Sequence, residues 1–244
     1  YLPMYENLQS KIIATKNRIP QDFVLKSTYD LVQSIFYSLK KESPYNWIIC
    51  EGISEKIYFE YFFKDEINNL NLRILPMAGQ SNVIRLFKYL ETPISEDRCS
   101  GKVFCLIDTD NQRCEAINDG FKDLRIRRLS NKNSSDHTKL LKLSDHDTYA
   151  TDIEQSLNPE YFKLALLALT KNEDYKINST QNALGNTDFI KNFKNLELEN
   201  FFKENDGINK VLLAEKYVNI MVCDPASPKK IPTWVSEIKA FFNS

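Results

Sequence analysis

Apolar residues follow two rhythms along this chain. Unbroken runs at Trp47-Ile48-Ile49-Cys50, Leu72 to Leu75 and Val103-Phe104-Cys105-Leu106-Ile107 alternate with stretches whose apolar residues recur at helical spacing. Short unbroken runs rich in β-branched and aromatic types predict strands buried on both faces. Ile57, Tyr58, Tyr61 and Phe62 predict the inner side of a helix after the first run. Val83, Ile84, Phe87 and Leu90 do so after the second, with Gly79 and Ser81 opening that helix and Pro76 ending the strand before it. Strand, helix, strand, helix, strand predicts an α/β fold built on a parallel sheet with right-handed crossovers, flanked by helices.

The flanks read as helical. Leu8, Ile12 and Ile13, then Tyr29, Leu31, Val32, Ile35, Phe36 and Leu39, predict two helices separated at Pro20 and closed by Pro44. After the core a short helix is expected from Gln112 to about Asn118. Leu124 to Leu129 reads as a strand whose charges suggest an edge or exposed position, and Leu140 to Leu143 as a weaker one. Ser130 to Asp136 reads as a polar loop. Pro159 starts an apolar helix over Tyr161 to Leu169. The Asn-rich segment from Thr170 to Asn186 reads as a surface connection. Helices are expected around Lys210 to Met221 and from Thr233 to Phe242. The division is residues 1–44 as a helical arm or linker, 45–160 as the core and 161–244 as a mostly helical extension completing the domain.

Candidate chemistry sits where the strands stop. The first run ends on Glu51-Gly52, with Gly52 for the turn and Ser54 as cap of the next helix, whose first turn carries Glu55. The third run ends on Asp108-Thr109-Asp110. A later acidic pair, Asp152-Ile153-Glu154, follows. Open α/β sheets bind ligands outside the carboxyl ends of their strands. Several carboxylates converging there suit a divalent cation, which offsets the repulsion that opposes crowding them. With His137 and His146 the only histidines, and read as surface residues, a histidine-built zinc site is not expected; oxygen ligands suit magnesium, manganese or calcium better.

Composition narrows the picture. A formal net charge of −1 gives no whole-molecule attraction to nucleic acid, so any such contact needs a local basic patch. Arg125, Arg127, Arg128 and Lys132, with Lys122, Lys139 and Lys142, lie between the second and third acidic elements and offer either that patch or a charged edge strand with a solvated loop. Cys50, Cys99, Cys105, Cys114 and Cys223 form no CxxC pair; Cys50 and Cys105 lie in apolar runs and read as buried free thiols, which fits a cytoplasmic protein. No apolar run is long enough for a bilayer, so no membrane partner is expected. The chain starts at Tyr1 without an initiator methionine, which suggests a fragment of a longer protein.

Ile48-Ile49-Cys50-Glu51-Gly52 with Ser54-Glu55 resembles the first Toprim motif, and Leu106-Ile107-Asp108-Thr109-Asp110 resembles the second, the Asp-x-Asp motif. Glu55, four residues after Glu51, and Asp152-Ile153-Glu154 resemble elements of the OLD (overcoming lysogenisation defect) nuclease branch. Lys210, in Lys210-Val211-Leu212-Leu213-Ala214, resembles that branch's lysine; a solvated surface lysine is the other reading. The resemblance implies a Toprim-like (Rossmann-like) parallel sheet and a Mg²⁺/Mn²⁺-dependent nuclease acting on DNA, with RNA as the alternative substrate and Ca²⁺ able to bind without supporting activity. It implies that Glu51, Asp108, Asp110, Asp152 and Glu154 hold one or two ions. Glu55 completes a second site or acts as a general base, and Lys210 offsets charge at the phosphate. It further implies an ABC-type ATPase domain or subunit and a role in anti-phage defence, with a homo-oligomer as the assembly. No Gly-x-x-x-x-Gly-Lys-Ser/Thr pattern is present in this chain, so that ATPase would lie elsewhere. The competing reading is a non-catalytic Toprim module for nucleic-acid binding or assembly. A topoisomerase lacks room for its tyrosine domain, and a primase lacks its zinc ribbon.

Overall fold

The computed structural model describes residues 21–109, 120–131, 138–145, 150–171, 178–180, 189–191, 196–203 and 207–244. Its centre is a mixed sheet of five mostly parallel strands. β1 (Asn46–Cys50), β2 (Leu72–Pro76), β3 (Val103–Ile107), β4 (Leu124–Ser130) and β5 (Lys139–Leu141) lie in the order β2-β1-β3-β4-β5. The first four run parallel; β5 pairs antiparallel with β4. The order reverses direction between β1 and β3, which makes their carboxyl ends the switch point of the sheet.

Helices cover both faces. α1 (Gln21–Leu39) and α4 (Gln80–Glu96) cover one, where Ile35, Leu39, Val83, Phe87 and Leu90 meet Ile49, Cys105 and Ile126. α2 (Ile53–Phe62), α3 (Lys64–Asn69), α5 (Pro159–Thr170), α6 (Leu196–Lys203), α7 (Ile208–Cys223) and α8 (Thr233–Asn243) lie on the other side, where Tyr58, Phe59, Phe162, Tyr217 and Trp234 meet Ile48, Phe104 and Leu106. The expected parallel α/β sheet is therefore present, with one antiparallel edge strand. α1 is bolted to the end of the sheet: Leu39 O accepts the amides of Ser100 and Gly101, and Trp47 Nε1 donates to Ser38 Oγ at 2.8 Å. A side chain at position 101 would meet Tyr45 O at 2.2 Å, so only glycine allows this approach.

Several local expectations change. β4 is an interior strand, not an edge. Its alternation puts Leu124 and Ile126 in one core and Leu129 in the other, while its arginines find partners inside the fold. Within the stretch from Thr170 to Asn186, Asn178–Thr180 pairs antiparallel with Phe189–Lys191 (β6 and β7). The cap of α2 is Gly52, not Ser54, and Gly52 is extended (φ −141°), so its glycine is not required for the turn. The first arm helix (Leu8, Ile12, Ile13), the 112–118 helix, Asp110, Cys114, Lys132, His137 and His146 lie outside the described residues. Cys50 and Cys105 are buried free thiols. Among the described residues no helix is long and apolar enough to cross a membrane.

Candidate metal centre

Adjacent parallel strands deliver the first two acids. β1 ends at Cys50 and β3 at Ile107, so Glu51 and Asp108 leave neighbouring strands at the same end of the sheet. Glu51 Oε1 accepts the Asp108 amide at 2.9 Å, joining the two strand ends directly. Glu51 O accepts the Gly79 amide at 2.9 Å, which fixes the turn after β2 against the same point.

Glu55 comes from the first turn of α2 and is buried, with the Ser54 hydroxyl donating to its Oε2 at 3.0 Å. Gly52 leaves room for it: a Cβ there would stand 2.9 Å from Glu55 Oε2. Gly52→Ala should push the flexible carboxylate aside rather than the backbone. We expect a stability change under about 1 kcal/mol with a measurable loss of Mn²⁺ affinity, read by denaturant unfolding beside Mn²⁺ titration.

The third acidic element reaches the centre through a two-bond bridge. Thr109 N–H donates to Thr151 O at 3.0 Å and Thr151 N–H donates to Thr109 O at 2.9 Å. The Thr109 hydroxyl donates to Leu129 O, and the Asn131 amide donates to Thr151 Oγ1 at 3.0 Å, so the ends of β3 and β4 share this junction. Asp152 follows at once, then a 3-10 turn, Ile153–Ser156, that carries Glu154. Gln155 closes the turn by accepting the Asp152 amide on its side chain at 2.9 Å. Trp234 of α8 donates its ring N–H to Ser156 O at 3.1 Å. Glu154 is fully buried, and α7 brings Lys210 to it, with Nζ 3.2 Å from Glu154 Oε2.

These groups act on one another electrostatically. Withdrawal from water, followed by the charges of Glu55, Glu51, Asp152 and Glu154, holds the Asp108 carboxyl well above its ordinary range. Burial also raises Glu154, and the Lys210 ammonium partly offsets this. Lys210 is raised chiefly by Glu154, against its own desolvation, with Asp152 and Asp108 adding to the effect. Glu51, Glu55, Asp108, Asp152, Glu154 and Lys210 are thus brought together.

They do not yet form a coordination shell: among the described residues no three His, Cys, Asp or Glu side chains are arranged to hold an ion. The donor chemistry nevertheless fits one. The acids are all oxygen donors, and Glu154 Oε1 is buried without a hydrogen-bond partner among the described residues.

The arginines are not gathered on one surface. Arg125 lies over the Phe241 ring at 4.5 Å, and Arg127 Nη1 donates to Ile126 O at 2.7 Å. Arg128 points to the opposite face, nearly fully buried, and donates to Asp145 O. Two features were not anticipated from sequence: the Thr109–Thr151 bridge and a Tyr58 hydroxyl with no partner among the described residues. An isolated two-residue pairing leaves no periodicity, and a tyrosine on an apolar helix face reads as core.

A doubly covered sheet with acids at the ends of β1 and β3 defines a Toprim-like α/β domain. Residues 45–110 match the family model "Overcoming lysogenization defect protein-like, TOPRIM domain". The match contains Glu51, Glu55 and Asp108 and ends at Asp110; Asp152, Glu154 and Lys210 lie beyond it. No curated protein and no solved structure matches the chain. Toprim domains of this kind point to nuclease-type or otherwise nucleic-acid-related work and generally bind divalent metal ions.

Proposed function

We propose that this chain is the Toprim nuclease part of a metal-dependent DNA endonuclease, nicking or cleaving phosphodiesters, with Glu51 and Asp108 as its principal metal ligands. The observation that carries the reading is the Glu51–Asp108 contact at the switch point of the sheet, with a buried, unpartnered carboxylate oxygen of Glu154 in the same neighbourhood. Asp152 and Glu154 complete one or two sites, together with Asp110. Bound Mg²⁺ or Mn²⁺ would supply charge for the phosphate oxygens and make the attacking water more acidic.

The chain's own residues do the rest. Glu55, held by Ser54, is placed to take a proton from the attacking water or to serve as a further ligand. Lys210 brings an ammonium to the acids, where it offsets negative charge as the phosphate passes through its transition state. Of the four basic residues, Arg127 and Lys132 are proposed to act on the nucleic-acid backbone in the assembled enzyme, while Arg125 and Arg128 are engaged inside the fold. The setting we propose is an anti-phage defence system in which an ABC-type ATPase outside this chain regulates a homo-oligomeric nuclease in the cytoplasm.

One observation favours a second reading. The Lys210–Glu154 ion pair neutralises part of the acidic charge without a cation, as a non-catalytic binding or assembly module would require. The two separate in one experiment. The complete protein with its ATPase is incubated with supercoiled plasmid and Mg²⁺ or Mn²⁺, beside Asp108→Ala and Glu51→Ala. Nicking or linearisation by wild type, reduced at least about 10²-fold in both variants, supports the nuclease. Intact DNA and RNA under both ions, or equal cutting by the variants, overturns it.

A further inference from the structure

Two buried polar atoms near the acidic centre have no hydrogen-bond partner among the described residues: Glu154 Oε1 and the hydroxyl of Tyr58. Both residues are fully buried. Native proteins rarely leave such groups unpaired, and each one invites a reason. Tyr58 lies on α2 one turn beyond Glu55, so the two share a helix face. Its ring meets the Tyr217 ring edge-on, with centroids 5.4 Å apart and planes at 89°. Tyr217 stands on α7 two turns after Lys210, the residue that holds the other oxygen of Glu154.

The two tyrosines differ in one respect. The Tyr217 hydroxyl accepts the Asn158 amide at 3.1 Å, whereas packing alone gives no use for the Tyr58 hydroxyl, since phenylalanine would fill the same space. After burial, the charge of Glu154 is the foremost influence on the Tyr58 phenol, and that of Glu55 also acts on it. Hydrogen bonds from an outer layer commonly fix the orientation of ligating carboxylates.

We propose that Tyr58 is a positioning residue: with a divalent cation held at the acidic centre, its hydroxyl would donate to Glu154 Oε1 and so fix the orientation of that carboxylate. This rests on reading the acidic centre as a cation site. Among the described residues the hydroxyl has no partner, so the proposal gives it no part in holding the fold. Its contribution arises only on metal loading.

The test uses the complete protein and Tyr58→Phe, with Mn²⁺ as the probe. Mn²⁺ binding is followed by calorimetry and by the spin-resonance signal of the free ion, and thermal unfolding is recorded with and without Mn²⁺. The expected result is a metal-free Tm equal to or above that of wild type, with Mn²⁺ affinity about tenfold weaker. Unchanged affinity in Tyr58→Phe, with wild type binding normally, overturns the role of Tyr58 alone. A clear fall in metal-free Tm also overturns it, because the hydroxyl would then have a resting partner. Failure of wild type to bind Mn²⁺ overturns the cation site and this role together.

Discussion

Asp108→Asn should make the metal-free protein more stable at neutral pH while removing nearly all metal-dependent activity. Asp108 sits among Glu55, Glu51, Asp152 and Glu154, and its carboxyl is held well above the ordinary value of 3.8. Such an acid holds its proton more firmly in the folded chain than in the unfolded one. Stability therefore falls as pH rises above the ordinary value and stops falling once the raised folded value is passed. Every tenfold tightening of the proton in the folded chain corresponds to about 1.4 kcal/mol. Asparagine removes that ionisation, so the variant's stability should depend less on pH than wild type's.

Mn²⁺ reverses the sign for wild type. An ion that binds only the folded form at about a hundred times its Kd adds about 2.7 kcal/mol. Because ligands must lose their protons, apparent affinity should rise with pH. Denaturant unfolding across a pH series, with and without Mn²⁺, checks both statements. A variant less stable than wild type at neutral pH without metal would contradict the first of them.

The second large effect lies away from the acids. Trp234→Ala should cost about 3–5 kcal/mol, enough to unfold a marginal domain. The indole is fully buried, edge-on to Phe59 at 6.1 Å and Phe62 at 6.2 Å. It also donates to Ser156 O, in the turn that carries Glu154. Trp234→Phe keeps most of the packing and loses the donor. That variant should cost about 1–2 kcal/mol, and it should weaken Mn²⁺ binding because the turn loses its anchor. Equilibrium unfolding and Mn²⁺ titration on the two variants separate packing from anchoring. Equal Mn²⁺ affinity in Trp234→Phe and wild type would show that the anchor does not reach the site.

The strands that carry the acids could be read from sequence because nothing competes with their signal. Val103 to Ile107 is buried at every position, so its apolar run is unbroken and its end at Asp108 is sharp. Glu51 follows the same logic. β4 misleads because charge is no guarantee of solvent. Arg125 covers an aromatic ring and Arg128 holds the Asp145 loop, so a charged strand lies inside the sheet. Asp152-Ile153-Glu154 is visible as a motif, but not the full burial of Glu154 or its pairing with Lys210, since both depend on where α7 packs. Gly52 shows a subtler limit. The residue is legible, but its reason is the carboxylate beside it rather than the backbone.

The junction of Thr109, Leu129, Asn131 and Thr151 has a consequence for how such a domain can change over time. The chain leaves this knot after Asn131 and re-enters it at Thr151, so both ends of the intervening stretch are pinned within one cluster of hydrogen bonds. Closing a longer loop between fixed ends costs only about 0.6 kcal/mol per doubling of length. Length added between these points is therefore expected to leave Asp152 and Glu154 in place, provided β5 and the buried Thr138 and Leu143 are kept.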